Sequence, residues 1–117
     1  MGAPGSGAGS SPGDMVEQIC TVDAVIVDER TCITVRGELD AMGAPDVQAA
    51  IASAAPGNVE LDLRDVTFID SSGLASVIEG HLRLTAQQRR LVLVDRSPVV
   101  QRLLDLSGVS NHIDLDP

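Results

Sequence analysis

Apolar residues recur along this chain with two periods, and each run ends on residues that favour turns. From Ile19 to Val27, the residues Val22, Ala24, Val25, Ile26 and Val27 favour a strand. The polar stretch Asp28-Glu29-Arg30 is short enough for a hairpin turn, with Cys32 opposite Ile26 across it. Thr31 to Arg36 is rich in β-branched residues and reads as the returning strand, after which Gly37-Glu38-Leu39-Asp40 leaves the sheet. Pro45 suits the first turn of a helix, and Val47, Ala50, Ile51 and Ala54 recur at spacings of three and four on one face of it. Pro56-Gly57 stops that helix. Val59, Leu61 and Leu63 alternate with Glu60, Asp62 and Arg64, which predicts a strand with one polar face, and Val66 to Ile69 carries it to a polar turn. Leu74, Val77, Ile78 and Leu82 predict a helix from Leu74 to about Gln88. Leu91-Val92-Leu93-Val94 reads as an inner strand. Ser97-Pro98 then reads as a helix cap and a first-turn proline, ahead of Val99, Val100, Leu103 and Leu104, with Gly108 as the stop. His112 to Leu115 adds a last short strand.

The predicted order is β-β-α-β-α-β-α-(β), an α/β fold around a mixed sheet of four to five strands. The opening hairpin is antiparallel, and the later strands are parallel through right-handed crossovers. In that arrangement the turns at Gly37, Asp70 and Asp95 gather at one end of the sheet. Residues 1–14 read as a flexible Gly/Ser/Ala/Pro tail, and residues 15–117 as a single domain.

Composition narrows the function. The net charge is −9, all eight basic residues are arginines, and Phe68 is the sole aromatic. A nucleic-acid binder needs a basic face and often stacking aromatics, and an anionic membrane repels such a chain, so neither partner is expected. No apolar run reaches the roughly 20 residues of a membrane span. The first fourteen residues do not read as a signal or transit peptide, which makes a cytoplasmic protein the expectation. Cys20 and Cys32 fit no zinc pattern and are expected far apart on adjacent strands, as free thiols.

Enzymatic chemistry finds little support. Ser71 is not framed as a Gly-x-Ser-x-Gly nucleophile elbow, His81 and His112 read as surface residues, and no Gly-Lys-Ser phosphate loop exists. Asp40 and Asp70 offer few ligands for a hard cation. No catalytic residue, metal or cofactor is expected. What remains is Asp70-Ser71-Ser72-Gly73-Leu74, a polar turn between a buried strand and a helix. Its serines have two open roles: one caps the helix and the other stands free beside the positive end of the helix dipole, a place that suits phosphate, or both simply cap and turn.

Three segments carry a resemblance: Gly37-Glu38-Leu39-Asp40, Leu61 to Leu74 with its Asp-Ser-Ser-Gly-Leu ending, and Ser97 to Gly108. In this order and spacing, over Ile19 to Leu115, the chain resembles the anti-sigma factor antagonists, bacterial proteins with a STAS domain. The resemblance implies a binding protein of stress-response transcription control. Its unphosphorylated form holds an ATP-dependent anti-sigma factor serine kinase and so frees a sigma factor. Phosphorylation at the position of Ser71 ends that contact, and a serine phosphatase restores it. The implied partner-binding residues are Asp40, Asp70, Ser71, Ser72, Gly73 and Leu74, on a monomer or weak dimer. The loop Ala41-Met42-Gly43-Ala44 is individual to this chain and is expected to choose the partner. Many relatives continue into a final helix beyond the position of Pro117. The alternative readings are a STAS scaffold module, in a stressosome-like or transport complex where the serines only cap, and a small serine hydrolase.

Overall fold

The computed structural model describes residues 20–109 and 113–115. The tail expected at residues 1–14, and His112, lie outside them. Among the described residues, five strands and three helices follow one another as β1 (Cys20–Val27), β2 (Arg30–Leu39), α1 (Ala44–Ala52), β3 (Val59–Ile69), α2 (Ser71–Ala86), β4 (Leu91–Arg96), α3 (Pro98–Ser107) and β5 (Asp114–Leu115). The sheet order is β1-β2-β3-β4-β5, with β1 antiparallel to β2 and all later pairs parallel. Every crossover therefore steps the same way across the sheet. Right-handed connections that step one way place all their helices on one face.

Burial follows from that one-sided arrangement. Ile33 and Val35 of β2, Val59, Leu61 and Leu63 of β3, and Leu91 and Leu93 of β4 are buried, while their neighbours in sequence are half-buried or exposed. Val47 and Ile51 of α1, Leu74, Val77 and Leu84 of α2, and Val100 and Leu104 of α3 close the core from the helical side. Val92 and Val94 are only half-buried, because no second layer among the described residues covers the other face. That open face is laced with ion pairs instead: Arg30 with Glu60 at 2.9 Å, Arg36 with Asp23 at 3.0 Å, and Arg64 with Asp95 at 2.8 Å.

Several local expectations change. The hairpin turn holds two residues, Asp28 and Glu29, so Cys32 faces Val25 rather than Ile26. Gly37-Glu38-Leu39 does not leave the sheet; it stays paired with β3 through two register shifts, each with an extra β3 residue. The shifts stretch the buried spacing of β3 from two to three, so Leu63, Val66 and Ile69 all face the core. Helix α1 ends at Ala52, ahead of the Pro56-Gly57 stop. Leu82 is 59% exposed rather than core, while Gly80 packs so tightly that an added Cβ would sit 2.5 Å from Ile51 of α1. His81 is half-buried, with its Nδ1 buried and unpartnered. Ser97 stands at the start of α3 with extended backbone, but its hydroxyl caps nothing and has no hydrogen-bond partner. Gly108 ends α3 in the left-handed conformation at φ 78°, as its position predicts.

At the far end of the sheet, Arg89 ties two loops together. Its guanidinium donates to the carbonyls of Gly57 at 2.7 Å and Ala55 at 2.6 Å. Arg89→Met leaves these carbonyls without their charged donor. It should lower the unfolding free energy by about 1.5–3 kcal/mol in urea denaturation.

Candidate functional site

Two aspartates leave the sheet side by side. Leu39 and Ile69 are partners in the β2–β3 ladder, so the residues that follow them, Asp40 and Asp70, emerge on neighbouring strands spaced about 4.8 Å apart. Each carboxylate does the same work. Asp40 Oδ1 accepts the backbone N–H groups of Met42 at 3.0 Å and Gly43 at 3.3 Å. Asp70 Oδ1 accepts those of Ser72 at 2.9 Å and Gly73 at 3.1 Å. Asp70 has extended backbone and is the N-cap of α2, a role at which aspartate equals serine. Its own N–H donates to the Leu39 carbonyl at 3.4 Å, which joins the two turns.

Because Asp70 caps the helix, neither serine has to. Ser71 is the first helical residue and is exposed, Ser72 is half-buried, and neither hydroxyl makes a hydrogen bond among the described residues. Both expectations for these serines had at least one of them cap the helix; in the structure Asp70 is the cap and neither serine is. The Ser71 hydroxyl stands at the positive end of a 16-residue helix, with one carboxylate engaged just before it and a second on the adjoining strand end.

Gly73 and Leu74 serve the site from beneath. Gly73 is buried, and a Cβ there would lie 2.1 Å from the Leu39 carbonyl oxygen and 2.9 Å from the Leu39 side chain. Leu74 is 8% exposed and belongs to the core. Of the residues expected to meet a partner, Gly73 and Leu74 are thus buried, whereas Asp40 and Ser72 are half-buried and Ser71 is exposed. The loop after Asp40 carries Met42, which is 86% exposed. Phe68, in register with Glu38 on the open face, is 44% exposed. Sequence reasoning gave no separate role to Glu38 or Phe68. Their signal is the extra residue that each bulge inserts between Leu63 and Ile69.

The cysteines lie apart, opposite Gly37 and Val25 respectively, five residues along β1 or roughly 17 Å at ~3.4 Å per residue. Burial pushes the Cys20 thiol pKa up, and the Asp46 and Asp40 carboxylates push it further. Burial likewise raises that of Cys32, whose thiol donates to Glu60 at 3.5 Å. Among the described residues, no three His, Cys, Asp or Glu side chains group to hold a metal, and no helix is long and apolar enough to cross a membrane.

Comparison with known proteins agrees with the fold. A family model described as "Mlab, STAS domain" matches residues 22–115. An anti-sigma-B factor antagonist of Listeria monocytogenes serovar 1/2a is 35% identical over 86 residues, 71% of this chain and 75% of its own. The crystal structure of an anti-sigma factor antagonist from Mycobacterium paratuberculosis aligns with a TM-score of 0.74 at 27% identity, covering 86% of this chain and 87% of that one. The anti-sigma factor antagonist SpoIIAA in its unphosphorylated form aligns with a TM-score of 0.68 at 25% identity, over 83% of this chain and 89% of that one. The fold class is thus that of the STAS domain. The chain belongs to the anti-sigma factor antagonist family.

Substitutions at two residues separate position from capping. Gly73→Ala forces its Cβ into a backbone carbonyl and should cost about 3 kcal/mol or more in chemical denaturation. Asp70→Ala loses the cap at about 1–2 kcal/mol, whereas Asp70→Asn retains most of it. For the thiols, a raised pKa leaves less thiolate at neutral pH. Both cysteines should react with iodoacetamide more slowly in the folded protein at pH 7.5 than in the unfolded chain, a gap that narrows as pH rises.

Proposed function

We propose that this protein is a binding switch, an anti-sigma factor antagonist that holds an anti-sigma factor serine kinase until that kinase phosphorylates Ser71. The observation that carries the reading is the freedom of the Ser71 hydroxyl, exposed at the start of α2 while Asp70 does the capping. The names of its relatives support the same reading. Binding frees a sigma factor, and a serine phosphatase returns the modified protein to its binding form. The kinase's need for ATP places the exchange in the cytoplasm. The chain acts as substrate and ligand rather than as an enzyme.

The chemistry of release is electrostatic. The hydroxyl oxygen takes the γ-phosphoryl group of ATP, the hydroxyl proton leaves, and ADP departs. The product carries about −1.5 to −2 charges where a neutral hydroxyl stood. Helix-end N–H groups favour that charge locally, but Asp70 lies next to it in sequence, Asp40 emerges beside Asp70, and the chain already stands at −9. In a contact shaped for a hydroxyl, the dianion loses water without gaining a partner. A loss of about 3 kcal/mol weakens binding on the order of a hundredfold, with no change of fold required.

Intact-mass spectrometry after incubation with candidate anti-sigma factor kinases and ATP-Mg tests this. The wild type should gain one phosphate, Ser72→Ala should gain it too, and Ser71→Ala should gain none yet still bind. Ser71→Glu should bind at least about tenfold more weakly in titration calorimetry. Absence of binding and of phosphate uptake with every candidate kinase overturns the reading.

A further inference from the structure

We infer that Met42 is the apolar anchor of the partner contact and that the partner presents a cationic surface with an apolar recess to receive it. The inference rests on the reading of Ser71 as a partner-facing switch and adds the chemistry of the surface that faces it. Met42 is the most exposed of the large apolar side chains among the described residues, at 86%. An exposed apolar residue can be incidental, but this one stands on a fixed part of the switch. The Asp40 carboxylate holds the N–H groups of Met42 and Gly43, and the Asp40 carbonyl accepts those of Gly43 and Ala44. The turn is joined to the start of α2 through Asp70 and the Leu39 carbonyl. The methionine therefore projects from the same strand ends as Ser71, and little backbone freedom has to be lost when it is covered. Its unbranched thioether adapts to a recess of irregular shape.

Charge points to the rest of the partner. Glu38, Asp40, Asp46 and Asp70 all lie at this end of the sheet, and none of them is in an ion pair among the described residues. Asp40 and Asp46 both act on the Cys20 thiol, which packs beneath Gly43, so they flank the Met42 turn. Arg30, Arg36 and Arg64, by contrast, are each matched to carboxylates on the open face of the sheet. The switch end thus offers unmatched negative charge around a neutral serine and an apolar knob. A cationic rim complements it. A serine that takes the γ-phosphoryl group must meet the phosphates of the nucleotide bound to the kinase, so an added phosphate is still repelled at the centre.

The two features act on different rates. Long-range charge speeds encounter, and burial of the anchor slows departure. Surface plasmon resonance with a kinase that phosphorylates the wild-type chain separates them, using Ser71→Ala throughout to keep the protein unmodified. Added Met42→Ser should raise the dissociation rate at least about tenfold with little change in association. Met42→Leu should stay within about threefold. Leu106→Ser, which alters the 76%-exposed leucine near the end of α3, should change neither rate. Glu38→Gln with Asp46→Asn should slow association and flatten its dependence on salt. If Met42→Ser dissociates within twofold of its parent while the wild type is still phosphorylated, the anchor is overturned and the switch stands. If association is indifferent to salt, the cationic partner surface is overturned. If the wild-type chain neither binds nor is phosphorylated by any candidate kinase, both readings fail together.

Discussion

The close approach of α2 to the end of β2 governs this structure. The helix begins where the carbonyl of Leu39 projects from the neighbouring strand, and the fit leaves no room for a side chain at residue 73. With glycine there, Asp70 reaches the Leu39 carbonyl with its N–H and the helix start with its carboxylate. The two strand ends then form a single rigid rim. Everything assigned to the switch depends on this contact, because it fixes where Ser71 stands relative to Asp40 and Met42.

Repetition of one device on adjacent strands gives the rim its character. Asp40 and Asp70 each accept from two backbone N–H groups at a helix approach, and each thereby brings a carboxylate to the same end of the sheet. Structural need and electrostatic consequence are coupled here. The caps that hold the loops also make the surroundings of Ser71 acidic, so that the protein's own scaffold makes an added phosphate costly. The rim is open at its turns, where Met42 and Ser71 are exposed.

Much of the architecture was readable from local pattern. The strict alternation of Val59 to Leu63 and the three- and four-residue spacing around Val47 and Val77 each reflect a face that must be buried, and all three elements form where the pattern lies. Leu82 shows where that logic ends. Its spacing fits the helix face, yet the core beneath α2 is already filled from α1 and β4, through Gly80 against Ile51 and Leu91, and Leu82 falls outside it.

The sequence alone determined the order of elements, the mixed sheet that follows from it, the family signature at Asp70 to Leu74 and the acidic, nearly aromatic-free composition, because each of these is written in neighbouring residues. Tertiary structure decided which residue caps α2, since Asp70 and Ser71 are equally capable caps and only the backbone's entry from β3 selects one. It also decided the two bulges that keep Leu39 and Ile69 paired, which depend on fitting two strands of unequal pattern against each other. From those two decisions came the free hydroxyl of Ser71 and its closeness to the Met42 turn. Neither could be read from a single segment, because both are properties of how two distant segments meet.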